Sequence, residues 1–313
     1  MKMYELEPEN NHFTSLVVDV THRCNMSCAN CYIPNRDIPD MDVEKLYAFI
    51  KRLPKRVYIR VIGAEPTMRE DLFDIITTIR SLGHKVSLTT NGLKLASPRY
   101  VSDLKKTGLK LLLISMNGAD DDPVYEILDN GPYGELKVKA LINAFKHKFT
   151  VNTGTIIAKG VNEFTIREQV RTVVQAAKIA DYKFDRRIPP VLRMKSVGAI
   201  GDYMKDSSYT LDELCDLASK YLDIPLEQVK GTPVESGLNK ITYIDEDTYK
   251  YDAPNSYAFR HETEMGDVII RLIDWSVDED GIPDSENEHR GRVTPNWKIA
   301  PFFAHVKENE FGY

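Results

Sequence analysis

Short apolar runs alternate with amphipathic stretches through the first two thirds of the chain. Residues 15–20, Ser-Leu-Val-Val-Asp-Val, predict a strand, and a turn-rich segment follows. Residues 41–53 carry Leu46, Phe49, Ile50 and Leu53 at helical spacing, and residues 56–62 predict a second strand. Leu72, Ile75, Ile76 and Ile79 form one stripe of a helix over 69–82, with Gly83 just past its end as a C-cap. Strands are predicted at 85–90, 110–116, 150–158 and 191–196, and helices at 98–107, 135–146 and 164–179. Six strands alternating with helices through short links imply a parallel sheet with helices outside. Six such units rather than eight predict an α/β fold of the partial (β/α)6 TIM barrel kind. The reactive centre is then expected at the C-terminal ends of the strands.

The pattern changes near residue 200. An amphipathic helix is expected at 211–221, a hairpin at 241–244 and 248–251, and another at 256–262 and 267–275. Residues 278–292 read as a turn-rich loop, acidic and then basic. The chain therefore divides into an N-terminal extension (1–14), the partial barrel (15–200) and a C-terminal α+β region (201–313). The last is expected to cover the substrate at the open side of the barrel.

Composition narrows the function. The 313 residues carry 41 basic and 47 acidic side chains, a net charge of −6, which disfavours a nucleic-acid or anionic-membrane partner. No apolar run approaches 18 residues, and the N-terminus is acidic and polar, so a cytoplasmic protein with no membrane partner is expected. There are four cysteines, and three of them, Cys24, Cys28 and Cys31, fall within eight residues. In a reducing compartment such a triplet reads as a metal or cluster site. Three thiolates on one tight loop wrap three corners of a cubic iron–sulfur cluster and leave the fourth iron open to a small molecule. The alternative at this point is a structural zinc module with His22 as fourth ligand.

The Cys-x3-Cys-x2-Cys spacing, its place after the first strand and the trailing Tyr32 resemble the radical S-adenosylmethionine (SAM) superfamily. Gly63-Ala64-Glu65-Pro66-Thr67 after strand two is similar to that family's Gly-Gly-Glu-Pro-Thr segment, with Ala64 replacing a glycine. Thr90-Asn91-Gly92, Ser115-Met116-Asn117 and Lys159-Gly160-Val161-Asn162 follow the next three strands, and Arg193 lies in the sixth. The resemblance covers about residues 15–200. It is closest to the branch holding the molybdenum-cofactor cyclisation enzyme and the peptide-modifying enzymes.

The resemblance implies one [4Fe-4S] cluster on Cys24, Cys28 and Cys31, and SAM as a second cofactor. It implies SAM contacts from Tyr32, Gly63, Ala64, Glu65, Asn91, Ser115 and Asn117, and from Thr155, Asn162 and Arg193. It also implies the chemistry. An electron donor such as flavodoxin or ferredoxin reduces the cluster, SAM is cleaved, and a 5′-deoxyadenosyl radical takes hydrogen from the substrate or adds to it. Only Cys215 follows residue 31, so no second cluster is expected, and a redox-neutral or reductive reaction is favoured. Cys215 lies among Leu211, Leu214, Ala218 and Leu222 and reads as a packed core residue.

The expected substrate is a small polar metabolite, such as a sugar or nucleotide intermediate. The alternatives are modification of a ribosomally made peptide and, from a different class, the zinc module. Substrate contacts are expected from Arg271 and Asp274, each the one ionisable group on its face of an otherwise apolar strand. Arg290, Arg292 and His305 extend the same candidate site.

Overall fold

The computed structural model of the chain describes residues 4–29, 31, 33, 35–197, 207–230, 256–274 and 290–301. The six expected strands form: β1 (Ser15–Asp19), β2 (Tyr58–Ile62), β3 (Lys85–Thr90), β4 (Leu111–Ser115), β5 (Thr150–Ile157) and β6 (Val191–Ser196). They pair in chain order, and every pairing is parallel. Helices α1 (Val43–Lys51), α2 (Leu72–Ser81), α3 (Pro98–Lys106), α5 (Gly134–Lys146) and α6 (Thr165–Ile179) form where the apolar stripes place them. Leu16, Val18, Ile59, Val61, Leu88, Leu112 and Leu192 on the strands join Leu46, Ile75, Leu104, Leu141 and Val173 on the helices in one buried core. Each such side chain contributes roughly 1.5–3 kcal/mol on full burial. Helix ends are capped locally. Asp42 accepts from the Glu44 and Lys45 amides, and Ser97 from the Tyr100 amide.

The region after residue 200 adds strands to this sheet. The expected hairpin forms as β7 (Ser256–His261) and β8 (Val268–Ile273), and β8 pairs in parallel with β6. Beyond β1 lie β9 (Arg290–Val293), parallel to β1, and β10 (Ile299–Pro301), antiparallel to β9. Among the described residues the strand order is β10-β9-β1-β2-β3-β4-β5-β6-β8-β7. So the C-terminal region flanks both sides of the six-strand unit. Arg290–Val293 is strand, where a loop was expected. Its Arg-Gly-Arg-Val sequence has little intrinsic strand preference, and long-range pairing with β1 imposes the conformation.

A further helix, α4 (Asp122–Asp129), falls in a stretch that reads as a link. Asp121 caps it and Pro123 sits in its first turn. Helices α7 (Leu211–Leu222), closed by a Thr210–Glu213 capping box, and α8 (Leu226–Lys230) complete the described elements. Cys215 is fully buried on α7 beside Leu214 and Ala218, and burial pushes its thiol up to about 12. The expected hairpin at 241–251, Trp275, the 278–280 acidic run and His305 lie outside the described residues. Among the described residues no helix is long and apolar enough to cross a membrane.

One ion pair ties the C-terminal strands to the first. Arg292 Nε and Nη2 donate to Asp19 Oδ2 at 2.7 and 2.6 Å, with the side chains 4% and 2% exposed. Arg292 is thereby committed to the fold rather than to the candidate anion site in which it was expected. Arg292→Met leaves a buried carboxylate without this partner and is expected to cost about 3 kcal/mol in urea denaturation. Arg52→Ala, which breaks an exposed pair with Glu9, should cost far less. Equal losses would show that the buried pair does not anchor β9.

Candidate active site

The cysteine loop leaves β1 and is clasped at its neck. The Met41 amide donates to the Val20 carbonyl, and Arg69 Nη1 donates to both the Val20 and Met41 carbonyls at 2.7 and 2.8 Å. Asp40 accepts from Thr21 Oγ1 and from the Arg23 guanidinium. Across the loop, the end of α4 holds the far side. The Ala29 amide donates to the Leu128 carbonyl, and Asn130 Nδ2 donates to the Ser27 carbonyl. Cys24, Cys28 and Cys31 all line a single cavity of about 320 Å³.

The strand ends are cross-braced beneath that loop. Gly63 has φ 147°, and a Cβ there would meet the Thr21 carbonyl oxygen at 2.4 Å, so this position requires glycine. The next two amides, of Ala64 and Glu65, donate to the Thr21 and Arg23 carbonyls. Ala64 therefore fills the place of a glycine without losing the backbone tie. The Glu65 carboxylate is fully buried and accepts from the Thr67 amide, Thr67 Oγ1, Thr90 Oγ1 and the Asn91 amide. It acts as a brace between the ends of β2 and β3 and is absent from the cavity wall.

A second brace comes from α5. Lys137 is fully buried, and its Nζ donates to the Asn91 and Ser115 carbonyls at 2.6 and 2.8 Å. It thus joins the ends of β3 and β4. Burial pulls its pKa down, while Asp129, Cys28, Glu65 and Cys24 pull it up. Asp129 also accepts from Asn117 Nδ2 at 2.8 Å. Burial first, and Asp129 next, push the Cys28 thiol up, and burial raises Cys24 as well. Arg36 Nη2 donates to Cys31 Sγ at 3.0 Å. A bound cationic metal centre reverses the cost of ionising such thiols.

Gly63, Ala64, Asn91, Ser115, Asn117, Thr155 and Arg193, all expected SAM contacts, line the cavity together with the cysteines. Some of their polar atoms are already engaged. Asn91 Nδ2 donates to Asn25 Oδ1, Asn117 Oδ1 accepts from the Ile156 amide, and Thr155 Oγ1 donates to the Met116 carbonyl. Asn162 is fully buried outside the cavity wall. It donates to the Asn117 and Ile156 carbonyls and accepts from the Ala158 amide, so it shapes the β5 turn. Tyr32 lies outside the described residues. Arg271 lines the cavity, whereas Asp274, half-buried past the end of β8 on the opposite parity, does not. His22 is likewise absent from the wall, and its Nδ1 sits 3.2 Å from the Asn35 carbonyl oxygen.

Arg36, Arg60, Asp129, Lys137 and Lys195 reach the cavity without having been anticipated. Two of them left a signal: Arg60 is the lone charge in the apolar strand Tyr-Ile-Arg-Val-Ile, and Lys195 is one of two charges, with Arg193, in Val-Leu-Arg-Met-Lys-Ser. Lys137 and Asp129 lie on helices whose tertiary placement no local pattern reveals.

Lys137→Met removes two charge-assisted hydrogen bonds and leaves two buried carbonyls short of a donor. It is expected to cost about 2–3 kcal/mol in denaturant unfolding. SAM affinity by equilibrium dialysis should fall with it, because Asn91 and Ser115 lose their common support. Asn91→Ala and Ser115→Ala should each weaken SAM binding roughly ten-fold without loss of iron. Unchanged SAM affinity in all three variants would move the nucleoside site elsewhere.

Comparison with known proteins agrees with this geometry. Residues 18–173 match the family model described as the radical SAM superfamily. A 7,8-dihydro-6-hydroxymethylpterin dimethyltransferase from Methanocaldococcus jannaschii is 28% identical over 84% of this chain and 55% of its own length. A GTP 3′,8-cyclase from Aquifex aeolicus is 27% identical over 66% of this chain and 64% of its own. The chain thus spans little more than half the length of the first of these relatives. The structure of Streptococcus suis SuiB bound to S-adenosylmethionine superposes with a TM-score of 0.53 at 17% identity, covering 67% of this chain and 47% of that one. It shares the partial-barrel fold.

The family's cofactors are a [4Fe-4S] cluster and SAM, and the donor set fits them. Three thiols face one cavity, and among the described residues no three His, Cys, Asp or Glu side chains converge as they must on a single ion. The zinc reading falls away with the family match over residues 18–173. The chain carries a radical SAM domain and belongs through it to the radical SAM superfamily.

Proposed function

We propose that the protein is a radical SAM enzyme acting on a small polar metabolite, such as a sugar or nucleotide intermediate. One observation carries this reading: the three cysteine thiols and the braced ends of β2, β3, β4 and β5 line the same cavity. With both cofactors bound and one electron supplied by a carrier such as flavodoxin or ferredoxin, the site gains a 5′-deoxyadenosyl radical and methionine. The chain's own residues supply position and shielding. The Glu65 and Lys137 braces hold three strand ends at fixed spacing, so SAM and substrate meet in one orientation. The chemistry the bound cofactors would supply is abstraction of a hydrogen atom from a substrate carbon, and these residues would hold that carbon in place for it.

The curated relatives named for GTP and for a hydroxymethylpterin support a small-metabolite substrate. Cys215, the one cysteine after Cys31, is packed in the core away from the cavity, which supports a redox-neutral or reductive outcome. Substrate contacts are assigned to the strands from the C-terminal region, beginning with Arg271.

Protein purified without oxygen is expected to hold about four irons with matching sulfide, and the Cys24→Ala, Cys28→Ala, Cys31→Ala triple variant none. Reduced wild type with SAM should release 5′-deoxyadenosine slowly even before substrate is found. About eight irons, or a triple variant that keeps its iron, would contradict the single-cluster assignment.

A further inference from the structure

A glycine inside a strand weakens it, because it packs no side chain and loses more freedom on folding than any other residue. Gly154 stands in the middle of β5. The fold does not ask for glycine there. Among the described residues, six other glycines have positive φ, Gly63 and Gly92 among them. At four more, Gly118, Gly131, Gly134 and Gly291, an added Cβ would come within 2.6 or 2.7 Å of a neighbouring atom. Gly154 meets neither condition. Its backbone is ordinary strand, and an added Cβ would meet only Leu113 Cδ2, at 3.6 Å, a normal van der Waals contact. Such a glycine marks a place where something else approaches the backbone closely.

The position faces the cavity. Between Val151 and Ile157 of β5, Gly154 and Ile156 are the half-buried residues, and both line the cavity wall. Two apart, they share one face of the strand. Ser115 on β4 and Arg193 on β6 stand in register with Gly154, and Arg271 on β8 stands in register with Arg193. All three line the cavity as well. The row across these four strands therefore reads Ser, Gly, Arg, Arg. Its second position is a notch between longer side chains, and the floor of the notch is the β5 backbone.

We propose that Gly154 is a specificity-determining residue: the notch above it receives the nucleoside part of SAM, which lies directly against β5. This deepens the radical SAM reading above and rests on it for the presence of SAM.

The chemistry of the notch selects the nucleoside over the amino acid part. The Gly154 carbonyl already accepts from the Met116 amide at 2.7 Å, and the residue has no side chain, so the floor recognises shape through van der Waals contact. The amino acid part of SAM carries an ammonium and a carboxylate, which need ionic or metal partners that a bare glycine does not supply. A nucleoside presents flat ring faces, and its hydroxyls meet hydrogen-bonding groups at Ser115, the next residue in register, and at Asn91 beyond it. That wall is fixed, because Lys137 Nζ donates to the carbonyls of both Asn91 and Ser115. A notch with a rigid wall and a backbone floor selects by size, and one added methyl group fills space that the ligand needs.

Stability and binding should therefore move in different directions. Alanine fits the strand geometry and reduces the freedom of the unfolded chain, so the urea midpoint of Gly154→Ala should equal or exceed that of wild type. Iron content should stay at the wild-type level in Gly154→Ala and Gly154→Val, since neither touches the cysteine loop. Equilibrium dialysis of the anaerobic, iron-loaded protein should show SAM affinity falling roughly ten-fold in Gly154→Ala and further in Gly154→Val. 5′-Deoxyadenosine, which carries the nucleoside alone, should lose the same factor, and free methionine should be unaffected. Unchanged SAM affinity in both variants, or a Gly154→Ala protein less stable than wild type, would overturn the nucleoside notch. So would a loss of SAM and methionine affinity with 5′-deoxyadenosine unchanged, because the space would then belong to the amino acid part. A wild type that holds about four irons and binds no SAM would instead contradict the radical SAM reading itself.

Discussion

Everything at this centre depends on holding one loop still over the ends of four strands. Three thiols must share a face, and among the described residues the loop's own backbone contributes one turn bond, from the Cys31 amide to the Cys28 carbonyl. The Arg69 fork on Val20 and Met41 closes the neck, and the last turn of α4 pins Ser27 and Ala29 from the other side. Gly63 then lets the β2 end approach Thr21 more closely than any side chain would permit. The cysteine loop and the Gly-Ala-Glu segment are thereby one mechanical unit, and Glu65 and Lys137 extend it to β3 and β4.

The same economy explains why polar residues at the strand ends divide into two sorts. Glu65 and Asn162 are fully buried outside the cavity wall, and their side chains bind backbone groups of neighbouring turns. Asn91, Ser115 and Arg193 reach the cavity. Both sorts stand at the positions that resemble the family's motifs, but the first sort builds the frame and the second meets what the frame encloses. On the flanks, strand parity makes a similar division: Arg271 turns inward and Asp274 does not.

Much of the barrel was legible because its elements are locally consistent. Strands β3 and β6 begin and end where their apolar runs do, and α2 follows the Leu72–Ile79 stripe. The hairpin of β7 and β8 was also visible from its alternation. What escaped was set by distant partners. The β9 segment is strand because β1 accepts it and Arg292 meets Asp19, and no property of Arg-Gly-Arg-Val announces that. The site shows the same limit. Cysteine spacing singled out the loop whose thiols line the cavity, but Lys137 and Asp129 are ordinary helix residues until tertiary packing places them beside Cys28. Arg60 and Lys195 were visible as charges in apolar strands, a signal as strong as the one that singled out Arg271.

The central claim is that three cysteines hold a cluster whose fourth iron is open to SAM in this cavity. Electron paramagnetic resonance of the dithionite-reduced protein tests it most directly. A [4Fe-4S] signal is expected in the wild type, and adding SAM should shift its g values as the amino acid portion takes the open position. A reduced-cluster signal that is identical with and without saturating SAM would contradict the claim.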